Sequence, residues 1–163
     1  MRIITDKGAK WSCSACGDCC RGFSFGPVED RVVKELHESD VTERWPPAAQ
    51  GWVDQSPNGD WYFKHVSGHC VFLRDDNLCA IHHLYGESAK PWFCREYPFH
   101  AVREPRGFSV RVREDCGGFY KSFRTGQPIE LQAEQVVSLP RRVPYQTILD
   151  RTIVIAPGLG VSA

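Results

Sequence analysis

"SCSACGDCCRG", residues 12–22, decides how the rest of this chain is read. It holds four of the eight cysteines, two of them adjacent, in a stretch too short to bury them all as core residues. Cys13, Cys16 and Cys19 follow a C-x2-C-x2-C spacing, which lets one loop turn three thiolates toward a common point. Gly17 permits the tight backbone path that this needs. Such spacing occurs in iron–sulfur ligation, whereas structural zinc more often uses separated C-x2-C pairs. Cys20 adds a constraint. Neighbouring side chains diverge, and in extended backbone they point to opposite faces. Cys19 and Cys20 are therefore expected to face different centres, or different metals of one polynuclear cluster. The competing reading is a buried or redox-sensitive thiol set, since adjacent free thiols invite oxidation. Against it, a disulfide carrier is expected to show an isolated C-x2-C pair.

The other four cysteines, Cys70, Cys79, Cys94 and Cys116, lie far downstream at long spacings. Taken singly, each would pass for a core residue. Their surroundings argue otherwise. In "HCVFLRDDNLCAIHH", residues 69–83, Cys70 and Cys79 sit at the two ends of a plausible hairpin, and His82 follows Cys79 by three positions. The expected metal ligands are thus Cys13, Cys16, Cys19, Cys20, Cys70, Cys79, Cys94 and Cys116, with His82 as a further candidate. Two four-cysteine sites are the simplest division. His65, His83 and His100 are read as surface groups, or as groups that orient a ligand.

Composition narrows the class. The 163 residues fit one domain, with 20 basic and 20 acidic side chains and no net charge. That balance gives no reason to expect nucleic acid or an acidic membrane as partner; a protein or peptide partner is expected instead. "MRIITDKGAKW", residues 1–11, has no apolar run of secretory type, and no later stretch reaches the ~20 apolar residues that span a bilayer. The expected compartment is the reducing cytosol, where clustered cysteines more often mean metal than cross-links.

Between the cysteines the elements are short. "GPVEDRVVKELHESD" predicts a helix with Pro27 in its first turn and Val28, Val32, Val33 and Leu36 on one face. Residues 52–63 predict two strands around Asn58-Gly59. Residues 85–98 read as irregular, with Tyr97, Pro98 and Phe99 as a hydrophobic lid. "GFSVRVRE" alternates as a half-buried strand, "GGFYKSFRTG" predicts a short helix closed by Gly126, and "ELQAEQVVSL" predicts another helix. The expected fold is α+β: a small, irregular, metal-stabilised domain of short hairpins and short helices. Residues 1–126 form the cysteine-cluster domain in this reading, and 127–163 a C-terminal extension packed on it.

"CSACGDCCRG" followed by "CVFLRDDNLCAIHHLYGESAKPWFCREYPF" resembles the YkgJ-type cysteine-cluster family of zinc- or iron-chelating domains. The resemblance runs from about residue 11 to 118, ending at "DCGGFY", and extends to the cysteine-rich part of flagellin lysine-N-methylases. It implies that Cys13, Cys16, Cys19 and Cys20 form the first motif, Cys70, Cys79 and His82 the middle one, and Cys94 and Cys116 the closing ones. It favours an iron–sulfur centre, with zinc as the alternative. "HLYGESAK", residues 83–90, is a longer insertion than the pattern has, and it weakens any transfer of a partner or substrate.

Two function classes follow: a metal-binding module, structural or electron-handling, and part of an S-adenosylmethionine-dependent protein lysine N-methyltransferase. For the second, the suggestive stretch is "IVIAPGLG", an apolar strand entering a Gly-x-Gly turn with no helix after it. No H-E-x-x-H, G-x-S-x-G or phosphate loop is present. Whether the chain is an enzyme stays open at this level. Arg95 reads equally as a cation offsetting thiolate charge and as one half of a surface ion pair.

Overall fold

Fourteen glycines and eleven prolines in 163 residues keep every element short. The computed structural model of the chain describes residues 2–22, 26–122 and 124–139, with the backbone of 152–156 and 159–162. In chain order the elements begin with β1 (Ile3–Thr5), β2 (Lys10–Trp11), α1 (Asp18–Arg21), α2 (Asp30–His37) and α3 (Val41–Arg44). Two small hairpins follow, β3 (Val53–Gln55) with β4 (Trp61–Phe63) and β5 (His65–Val66) with β6 (His69–Cys70). Then come α4 (Ala80–Tyr85), α5 (Trp92–Glu96), β7 (Phe99–Glu104), β8 (Gly107–Val112) and α6 (Gly117–Ser122). The last are β9 (Gln127–Pro128), α7 (Glu130–Val137), β10 (Thr152–Ala156) and β11 (Leu159–Ser162). The fold class is α+β with short hairpins, and among the described residues there is no large regular sheet.

Two apolar cores organise these pieces. In the first, α2 buries Val32, Val33 and Leu36, the stripe that its spacing requires, against Trp52, Phe63, Phe72 and Ile81. The rings of Trp52, Phe63 and Phe72 meet with centroids 5.0 to 6.0 Å apart, in tilted and edge-on geometry that favours aromatic contact. Helix α2 starts at Asp30 rather than at Pro27. Val28 lies outside it and pairs with Trp61, whose carbonyl accepts the Val28 N–H at 2.8 Å. The β3–β4 turn falls at Asn58-Gly59 as its sequence predicts, with Gly59 N–H donating to the Ser56 carbonyl at 2.9 Å.

The second core is a three-stranded sheet covered by α7. Strand β8 pairs antiparallel with β7 and, on its other edge, parallel with β1. Phe99, Ala101 and Val110 face Ile129, Ala133, Val136 and Val137, which recur at helical spacing. Strands β2 and β9 pair Lys10 with Pro128 and Trp11 with Gln127, so the start of the chain is tied to the segment that precedes α7. Neither β1 nor β7 is signalled by the local sequence pattern. Residues 85–98, read as irregular, contain a 3-10 turn at Glu87–Ala89 and the helix α5. Of the expected C-terminal extension, residues 140–151 lie outside the described residues. Among the described residues no helix is long and apolar enough to cross a membrane.

Candidate functional site

Between the two cores lies a cavity of about 440 Å³, and all eight cysteines line it. They reach it from separate elements. Cys13 and Cys16 come from the loop before α1, Cys19 and Cys20 from α1 itself, and Cys70 from β6. Cys79 caps α4, Cys94 sits within α5, and Cys116 directly precedes α6. Local backbone chemistry sets the loop. Ala15 and Gly17 take positive φ, 51° and 73°, which turns the chain twice within three residues. A side chain at Gly17 would collide with the Arg21 guanidinium. That guanidinium ties the loop to the turn between the bridged residues Leu73 and Cys79: Nη1 donates to the Cys16 carbonyl at 2.9 Å, and Nη2 to Asn77 Oδ1 at 2.5 Å.

Cys19 and Cys20 do not diverge as extended backbone would make them. On the helical turn α1 successive side chains are about 100° apart, and the two sulfurs approach to 3.9 Å. With Cys20 donating its S–H, the Cys19 thiolate is stabilised, and its pKa falls from 9.0 to about 7; the Lys90 charge assists and burial opposes. The same bond, together with burial, pushes the Cys20 thiol up. Burial raises Cys70 to about 12 and lifts Cys94 well above 9.0.

The expected metal centre is corrected by this geometry. Among the described residues no three or more His, Cys, Asp or Glu side chains form a group that could hold a metal ion. Zinc–sulfur bonds of about 2.3 Å require ligand sulfurs within roughly 4 Å of one another. Cys19 and Cys20 meet that spacing, but they are two. The residues as placed therefore do not fit the iron–sulfur cluster or the zinc alternative expected on Cys13, Cys16, Cys19, Cys20, Cys70, Cys79, Cys94, Cys116 and His82. With that centre go its structural or electron-handling role and the metal-stabilised description of the fold; the two apolar cores stand in its place. The physical reason is that the thiols ride on separate elements around an open cavity. All eight are free, so disulfides do not draw them together either. His82 is exposed at the cavity wall.

The methyltransferase alternative is corrected with it. Strand β10 leads into the antiparallel β11, not into the helix that a Gly-x-Gly cofactor turn requires. Pro157 and Gly158 of that stretch lie outside the described residues.

Of the other cavity residues, Lys90, Trp11 and Ser14 carried no signal in the sequence, whereas Arg95 and Tyr97 did. The Lys90 side chain lines the cavity, and its charge acts on both Cys19 and Cys94. Arg95 is an ion-pair partner as well as a cavity residue, its Nε 2.7 Å from Glu87 Oε1. Among the described residues Trp11 Nε1 and Ser14 Oγ are buried without a hydrogen-bond partner, and both residues line the cavity. Tyr97 also faces it, and burial, followed by the electrostatic effect of neighbouring Cys116, raises its hydroxyl pKa. Pro98 is fully buried and Phe99 opens β7 inside the second core, and both residues line the cavity.

A family model matches residues 12–117; the family is CxxCxxCC, described as "Putative zinc- or iron-chelating domain". No curated protein and no solved structure matches the chain.

Proposed function

The chain belongs to the CxxCxxCC cysteine-cluster family, and from that premise we propose that its cavity performs thiol–disulfide exchange, with Cys19 as the reacting thiol. The observation that carries this reading is the Cys19–Cys20 contact, 3.9 Å between sulfurs, set in the wall of a cavity shared by eight free thiols. The Cys19 thiolate attacks one sulfur of an incoming disulfide. A mixed disulfide forms at Cys19 and the other sulfur leaves as a thiolate, so the incoming disulfide is the oxidant and no other is needed. Cys20 holds the attacking sulfur as an anion by donating its S–H. The remaining cysteines are cavity residues in this proposal. We take residues 1–126 as the cysteine-bearing unit, 127–163 as an extension packed on it, and reducing cytosol as the compartment in which the thiols stay free.

Peptide mapping after brief treatment of the reduced chain with dithiodipyridine tests this. Cys13 is the exposed cysteine, so simple accessibility would mark it first. The expected result is one adduct per chain, at Cys19. First modification at Cys13, or thiols shielded by a metal that purifies with the chain, would overturn the reading.

A further inference from the structure

Residues 13–22 carry four of the eight cysteines, yet little fastens them to the rest of the fold. The one buried residue in this segment is Gly17, which has no side chain to pack. Helix α1 buries none of its four residues. Its backbone bonds close on the segment itself: Cys20 N–H donates to the Gly17 carbonyl at 2.9 Å, and Gly22 N–H to the Asp18 carbonyl at 2.8 Å. At the start of α6 the segment rests on Gly117, where a side chain would strike the Asp18 carboxylate and crowd the Cys16 sulfur. That seat is a close approach without interlocking side chains. Among the described residues a single hydrogen bond joins 13–22 to another part of the chain, from Arg21 Nη2 to Asn77 Oδ1 at 2.5 Å.

The ground on either side is firmer. Trp11, just before the segment, meets Phe99 edge-on with ring centroids 5.3 Å apart, and Ser12 Oγ accepts the Gln127 N–H at 3.1 Å. Asn77 belongs to a turn fixed by its own bonds. Its N–H donates to the Arg74 carbonyl at 3.0 Å, Arg74 N–H to the Leu78 carbonyl at 2.9 Å, and Arg74 pairs with Asp76 at 2.7 Å. The turn leads into α4, whose Ala80 and Ile81 are buried in the first core. A hydrogen bond between exposed side chains is readily exchanged for water, whereas packed cores open only with the whole fold. We infer that residues 13–22 are a gate in the cavity wall, hinged after Ser12 and latched by Arg21 on Asn77, which swings out while both cores stay folded. Opening uncovers the cysteines on the fixed side of the cavity, Cys70 and Cys94 among them. The latch does not depend on the chemistry assigned to the thiols.

Hydrogen exchange of the full chain as purified, compared with Asn77→Gly and Asn77→Asp, tests the gate. Asn77 sits at φ 62°, a conformation that glycine takes freely and aspartate tolerates, so both variants keep the turn and only aspartate keeps the acceptor. In the parent chain, peptides over 13–22 are expected to exchange ahead of α2 and of the β7–β8 pair. In Asn77→Gly their exchange is expected to rise about tenfold, the low end for a hydrogen bond to a charged group. The α2 and β7–β8 peptides should not change, and Asn77→Asp should exchange no faster than the parent. Brief labelling with a bulky maleimide then reads access, with Cys70 and Cys94 reacting about tenfold faster in Asn77→Gly. Exchange of 13–22 that is unchanged in Asn77→Gly, or that rises only in step with α2 and β7–β8, would overturn the gate. So would faster exchange there with no gain in labelling at Cys70 and Cys94. None of these outcomes bears on which thiol reacts first, so the thiol–disulfide reading stands or falls separately, on the dithiodipyridine mapping.

Discussion

At the scale of residues the decisive contact joins two neighbours in the chain. A thiol that accepts a hydrogen bond from an adjacent thiol is a better anion, and its donor a poorer one, so two identical side chains are made unequal. At pH 7 a group with a pKa of about 7 is half ionised, whereas one at about 9 is ionised to roughly 1%. Replacing Cys20→Ala removes the donor. The pH profile of iodoacetamide alkylation at Cys19 is then expected to move toward 9 or beyond, and the rate at pH 7 to drop between about tenfold and a hundredfold. A profile that stays near 7 would assign the effect to Lys90 instead.

At the scale of elements, close backbone approach does what long elements do in larger proteins. Gly107 opens β8 at φ 144°, and a Cβ there would strike the carbonyl of Arg2, whose oxygen accepts the Phe108 N–H at 2.9 Å. This contact leads into the parallel pairing of β1 with β8. Gly107→Ala combines a strained backbone conformation with a backbone collision, and it is expected to cost about 1–3 kcal/mol in urea unfolding. Hydrogen-exchange protection should be lost first along Ile3–Thr5. A neutral result would mean that β1 contributes little to the second core.

At the scale of the whole molecule, burying thiols ties stability to pH. Cys70 at about 12, and Cys94 well above 9.0, keep their protons in the fold after the unfolded chain has lost them. Each therefore contributes stability that is complete below about pH 9 and declines as pH rises through the folded value, by up to about 1.4 kcal/mol per pH unit. Cys19 has the opposite sign: its contribution is full above about pH 9 and disappears as pH falls through about 7. Urea midpoints measured between pH 7 and 10.5 are expected to peak near 9. A monotonic rise across that range would contradict the protonated state of Cys70 and Cys94 in the fold.

What the amino-acid sequence determined by itself was local. The alternation of Phe108, Val110 and Val112, the Asn58-Gly59 turn and the Val32–Leu36 stripe follow from period and turn chemistry, which neighbouring residues carry without outside help. The residues that the cysteine spacing singled out all line one cavity. Tertiary structure alone decided the rest. Whether thiols on five separate segments converge on an ion or ring an open space depends on how those segments pack, and spacing along the chain does not contain that distance. The Cys19–Cys20 approach needed the helical turn of α1, the β1–β8 pairing needed residues 3 and 108 brought side by side, and Lys90 became a cavity residue only through the fold. Side-chain chemistry is written locally, but the separation between side chains is set by packing across the chain.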